Sequence, residues 1–154
     1  FMSLRDLIET KYKEAIKSKD LDNTNTYRLI KSAIKDKDIE NRTKGSKEEI
    51  NDQQILTLLQ NLIKQRKDSI ESFKSASRED LIDKEKLEIE LISQFLPKQL
   101  DEKEKSEIIK EIIKKNDFLS LKDMGSLMNN LKENHSGSID MALAGKIAKT
   151  ILGN

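Results

Sequence analysis

The chain has 154 residues, 37% charged and 35% apolar, with one proline, no tryptophan and no cysteine. Without cysteine, disulfides, thiolate metal sites and a cysteine nucleophile are excluded. The net charge of +1 supplies no global field for a polyanion, so any nucleic-acid site must be a local patch.

The apolar residues are mostly isoleucine and leucine, and they recur at helical spacing. Ser3, with Asp6 three residues on, predicts the start of a first helix carrying Leu4, Leu7, Ile8, Tyr12, Ala15 and Ile16 inward. Asp20 to Asn25 has turn composition, and Thr24 or Asn25 is expected to cap a second helix with Tyr27, Ile30, Ala33 and Ile34. That helix is expected to fray after Ile39 into an exposed loop, Asn41 to Asn51. Asn51 or Asp52 then caps a long third helix reaching about Ala76. Ser77-Arg78-Glu79-Asp80 reads as a capping box for a fourth helix, with Leu81, Leu87, Leu91, Ile92 and Phe95 inside.

Pro97 disfavours helix at Leu96, and a domain boundary is placed there. Asp101 caps a fifth helix with Ile108, Ile109, Ile112 and Ile113. Glu102 and Glu104 stand in its first turn and Lys110, Lys114 and Lys115 towards its end, an order that suits the helix dipole. Ser120 is expected to cap a sixth helix containing Gly125, a residue explained by close approach of a neighbouring helix. A turn at Gly137 leads to a last helix from about Ile139, with Leu143, Ala144, Ile147, Ala148 and Ile151 inward. No apolar run approaches the roughly 20 residues of a membrane span. Met2 to Asp6 lacks the apolar core of a signal peptide, so a cytoplasmic protein is expected. Phe1 is read as an added residue before the initiator Met2.

One charge interrupts the stripe of the third helix. Arg66 lies four residues from both Leu62 and Ile70, so its stem runs along the buried face. It reads as a structural ion pair with a neighbouring helix, or as a partner contact together with Lys64 and Asp68. Lys64–Asp68 and Lys67–Glu71 are expected to pair on the surface. Glu85, Glu88 and Glu90 are spaced as a carboxylate cluster, but Glu88 alternates with apolar residues as on a solvated flank, and catalysis is not expected of them. His135, the single histidine, is expected exposed in the Gly137 turn. No catalytic, cofactor-binding or metal residue is assigned: there is no phosphate-binding glycine loop and no triad-like set.

Four stretches carry a resemblance: Tyr27 to Lys35, Ile63 to Phe73, Phe95 to Leu100, and Met124 to Met128. In this order they resemble the YqeY-like family, which shares a tail domain with GatB, a subunit of the bacterial tRNA-dependent amidotransferase. The resemblance spans nearly the whole chain. It implies an all-α fold whose last part looks like a ubiquitin-associated-type bundle. It also implies the label of a carbon–nitrogen ligase with glutamine as amido-N-donor, inherited from a larger enzyme whose catalytic domain this chain lacks. The GatB tail packs against tRNA, which makes Lys122, Lys132 and Lys146 candidate RNA contacts, although each alone reads as a solvated lysine. The chain departs from the family pattern at Ser126 and Ser138, where basic residues are common, and so loses two phosphate contacts.

The expectation is an all-α protein with two helical domains. Residues 2–96 should form about four helices, and residues 97–154 a three-helix bundle. The expected function is a non-catalytic tRNA-binding or adaptor protein linked to tRNA-dependent amidation, with tRNA or the aminoacylation and amidotransferase machinery as partner and no cofactor. The alternatives are an amidotransferase-like ligase and a protein-interaction module.

Overall fold

The computed structural model describes residues 2–153; Phe1, read above as an added residue, lies outside them. The described residues are all-α, with no strand. The helices are α1 Leu4–Lys17, α2 Leu21–Thr43, α3 Asp52–Ser75 and α4 Glu79–Ser93, then α5 Glu102–Asn116, α6 Met124–His135 and α7 Met141–Leu152. A 3₁₀ turn, Leu121–Asp123, precedes α6. The chain divides between Leu96 and Pro97 into two compact units, each with its own core.

In the first unit, Ser3 Oγ accepts the Asp6 N–H at 3.1 Å and starts α1. Lys19 adopts φ +58°, and the Asp20 N–H closes on the Ala15 carbonyl at 3.1 Å, which stops the helix. Asp20 itself then caps α2 by accepting the Asn23 N–H at 3.1 Å. The expected turn over Asp20 to Asn25 is therefore helix, and neither Thr24 nor Asn25 is the cap. Thr24 is buried, and its hydroxyl donates back to the Asp20 carbonyl. α2 also runs past Ile39 to Thr43. Asp38 anchors that extra turn: it accepts two hydrogen bonds from Arg5, at 2.9 and 3.0 Å, and one from the Ile50 N–H at 2.9 Å. Ile50 is consequently buried, so the far end of the connection is pinned rather than wholly exposed.

Asn51 and Gln54 form a reciprocal capping box at the start of α3. Asp52 turns the other way, its carboxylate accepting the Leu4 N–H of α1 at 3.2 Å. The box expected at Ser77 does not form. Ser77 sits at φ +55° as part of the stop of α3, where the Arg78 N–H reaches the Phe73 carbonyl at 3.0 Å. α4 starts without a side-chain cap. Its buried residues are Ile82 and Ile92, with Phe95 just beyond, whereas Leu87 is 37% exposed and Leu81 and Leu91 only half-buried. The inner face is thus rotated from the one expected. Ile8, Ile30, Ile55, Leu59 and Ile92 form the centre of the core, and the Tyr27 and Phe95 rings meet edge to face at 5.9 Å.

In the second unit, Asp101 and Glu104 form the capping box of α5, and Asp117 ends it at φ +55°. Ser120 caps the 3₁₀ turn rather than α6 directly. α7 starts at Met141, because Asp140 accepts the N–H groups of Ala142 and Leu143. Leu143, expected inward, is 40% exposed. Gly125 is exposed, and a Cβ there would meet nothing within 4 Å, so no close approach of a neighbouring helix explains it. Gly137 does have a conformational requirement: its φ is +84°, and its carbonyl accepts from the Gln99 side chain. The core is built on Ile109, Leu127, Leu131, Ile139, Ala144 and Ala148.

Candidate functional site

Arg66 has the burial its place in the stripe implies. It is 8% exposed; its Nε donates to Glu88 at 2.7 Å and Nη1 to the Leu62 carbonyl at 2.9 Å. Glu85 stands 4.0 Å away. Burial, and then the neighbouring Glu88 charge, raise the Glu85 carboxyl above its ordinary pKa, and Arg66 opposes that only in part. Arg66 is therefore a strut between α3 and α4. Glu88, read as a solvated flank, is its principal partner; α4 is rotated so that this carboxylate points inward.

Lys64 and Asp68 lie two residues either side of Arg66, about 200° round the helix, and are exposed. The three do not form one patch. The expected pairs Lys64–Asp68 and Lys67–Glu71 are not made among the described residues; Glu71 pairs with Lys74 instead, at 3.2 Å.

Between α1 and α2 runs a groove of about 570 Å³ lined by both charges. Two of its cations, Arg5 and Lys31, are answered within the unit, while Lys35 and Arg42 are exposed and form no ion pair among the described residues. Arg5 is held by Asp38, whose carboxyl this bond draws below the usual carboxylate range, and Lys31 reaches Glu9 at 2.7 Å while lying 4.1 Å above the Tyr12 ring.

The second unit also exposes lysines. Lys122 is exposed in the 3₁₀ turn, Lys132 on α6, and Lys146 on α7. Gly125, Asn129 and Lys132 follow each other by four and three residues, so they share the exposed face of α6. Lys149 lies one turn beyond Lys146 and extends the α7 patch; the spacing of three was the sequence signal for it. Lys122, Lys146 and Lys149 form no ion pair among the described residues.

A groove of about 390 Å³ lies between α5 and α6. Ile108 and Ile112 line it together with three carboxamides, Asn116, Asn130 and Asn134, and with His135. His135 is the last residue of α6 and half-buried, not an exposed turn residue. This amide cluster went unread in the sequence, because its members come from two helices and follow no motif spacing. Among the described residues, no three His, Asp or Glu side chains gather as a metal site, and no helix is long and apolar enough to cross a membrane.

These features define a two-unit helical protein whose clustered carboxylates brace a helix pair and whose second unit exposes lysines and a carboxamide groove. The chain belongs to the YqeY-like protein family, whose model matches residues 5–152. It is similar to an uncharacterized protein of Schizosaccharomyces pombe, 36% identical over 95 residues, covering 62% of this chain and 73% of that one. It is also similar to altered inheritance of mitochondria protein 41, mitochondrial. The Lachancea thermotolerans form is 35% identical over 118 residues, 72% of this chain and 60% of its own length. The Kluyveromyces lactis form is 36% identical over 83 residues, 54% of this chain and 43% of its own. The chain thus spans about half the length of these two mitochondrial relatives.

Proposed function

We propose that the protein is a non-catalytic RNA-binding adaptor, directed at tRNA or at the machinery that aminoacylates and amidates it. The observation that carries this reading is the set of exposed lysines on the second unit. Lys122 and Lys146, with Lys149 beside the latter, have no carboxylate within ion-pairing distance among the described residues, so they are available to phosphates. The resemblance of the same unit to the GatB tail points to tRNA as the phosphate source. An adaptor is favoured over a ligase because the closest carboxylate cluster, Glu85 and Glu88, is committed to Arg66.

A gel-shift with bulk tRNA across a salt series tests the reading. Binding should weaken with salt. The triple reversal Lys122→Glu, Lys132→Glu and Lys146→Glu should abolish it or flatten the salt slope by roughly 2 to 3 units, at somewhat under one unit per phosphate contact. No binding at low salt, or binding indifferent to the reversal, would overturn it. Glutamine-dependent amide transfer to aminoacyl-tRNA by the purified chain would replace the adaptor with an enzyme.

A further inference from the structure

The groove between α5 and α6 has a chemistry that phosphate contacts do not use. Its floor is apolar, from Ile108 and Ile112, and its rim is dense in amides. The hydrogen bonds inside the unit leave much of that amide capacity open. Asn116 spends one N–H on the Ile112 carbonyl at 2.8 Å, which leaves its Oδ1 and a second N–H side by side. Asn134 donates to the Asn130 carbonyl and to Asn130 Oδ1, both at 3.0 Å. That fixes the Asn130 side chain and leaves its two N–H donors uncommitted.

A donor and an acceptor held together on one carboxamide match the N6 and N7 edge of adenine. An apolar floor suits the face of a planar ring. The volume, about 390 Å³, is within the range of small-ligand sites. Lys115, which also lines the groove, is exposed with no ion pair among the described residues, which suits a phosphate. Glu111, also on the rim, would repel a phosphate placed against it but can accept from ribose hydroxyls. Partners for base, ribose and phosphate therefore line the one groove.

We propose that this groove holds an unpaired purine nucleotide, adenine by preference, presented by a single-stranded part of the bound RNA. The identity of the RNA as source rests on the function proposed above; the groove's chemistry does not. Recognition of splayed bases by their edges is the usual route to sequence preference in RNA.

The test is a titration of the full chain with AMP, and separately with UMP, followed by the side-chain amide and imidazole signals in NMR spectra. AMP should shift the Asn116, Asn130 and Asn134 amides and the His135 ring, and should bind at least about fivefold tighter than UMP. Asn116→Ala, with helicity unchanged by circular dichroism, should weaken AMP at least about fivefold. Millimolar AMP that shifts no groove signal, or an Asn116→Ala affinity equal to the parent's, would overturn the proposal. The bulk-tRNA gel-shift separates the two readings. Binding of tRNA without AMP at the groove sinks the groove and leaves the adaptor standing. Binding of AMP without tRNA supports the groove as a site for a free purine nucleotide and sinks RNA as its source.

Discussion

Arg66 shows how a single charge in an apolar stripe sets the geometry of two helices. A buried guanidinium must find acceptors, and it takes one from its own helix, the Leu62 carbonyl, and one from the next, Glu88. Glu88→Gln would keep the hydrogen bond and lose the charge. It should destabilise the fold by on the order of 2 kcal/mol, below the full cost for a buried pair, because Glu85 remains nearby. Glu85→Gln should act oppositely. A carboxyl whose folded pKa is raised binds its proton more tightly in the folded state, so its ionisation costs stability as pH rises through that value. Removing it should raise the urea midpoint at neutral pH and leave it unchanged at low pH. Asp38 has the reverse sign. Its folded pKa is lowered, so its contribution is present above its unfolded value of about 3.9 and is lost as pH falls through the folded one. Asp38→Asn should therefore cost about 2 kcal/mol at neutral pH, with the gap to the parent narrowing below about pH 4 in urea melts.

At the scale of the element, the helices themselves were plain in the sequence and their ends were less so. The stripes of α1, α3 and α5, the Asn51 and Asp101 caps and the break at Pro97 follow from local residue chemistry, which sequence carries directly. The ends that differ depend on backbone geometry that no side chain announces. The stops of α1 and α3 fall near Lys19 and Ala76 as expected, but the left-handed residues that make them, Lys19 and Ser77, are neither glycine nor asparagine, and Ser77 was expected as a cap instead. Arg5 and Asp38 are 33 residues apart, and only the packing of α1 on α2 brings them together. The candidate site divides in the same way: exposed lysines could be read singly, whereas the carboxamide groove exists only once α5 and α6 are side by side. Gly125 gives a sharp check. With open space around its Cβ and ordinary helical φ, Gly125→Ala should stabilise the second unit by about 0.5 to 1 kcal/mol, through the lost freedom of the unfolded chain. A thermal melt that moves down would restore a packing role. Asn51→Ala should cost about 1 kcal/mol by removing the side-chain oxygen that accepts the Gln54 N–H, one half of the capping box.

For the whole molecule, the division at Pro97 means that two cores of unequal size carry the fold, and they share no residue. The second is the smaller, and a unit of this size buries a lower fraction of its chain, so it should have the lower intrinsic stability. A cavity in either core should then act locally. Leu131 and Leu59 are each fully buried, one in each core, and each truncation to alanine should cost about 2 to 5 kcal/mol in its own unit. Hydrogen exchange distinguishes the two. Leu131→Ala should speed exchange at amides of α5, α6 and α7 while α2 and α3 keep their protection, and Leu59→Ala should do the converse. Protection lost throughout the chain in both variants would mean a single cooperative unit. Local loss in the Leu131→Ala protein would also bear on function. An RNA contact seated on the second unit should then fail together with that unit's protection, with the first unit still folded.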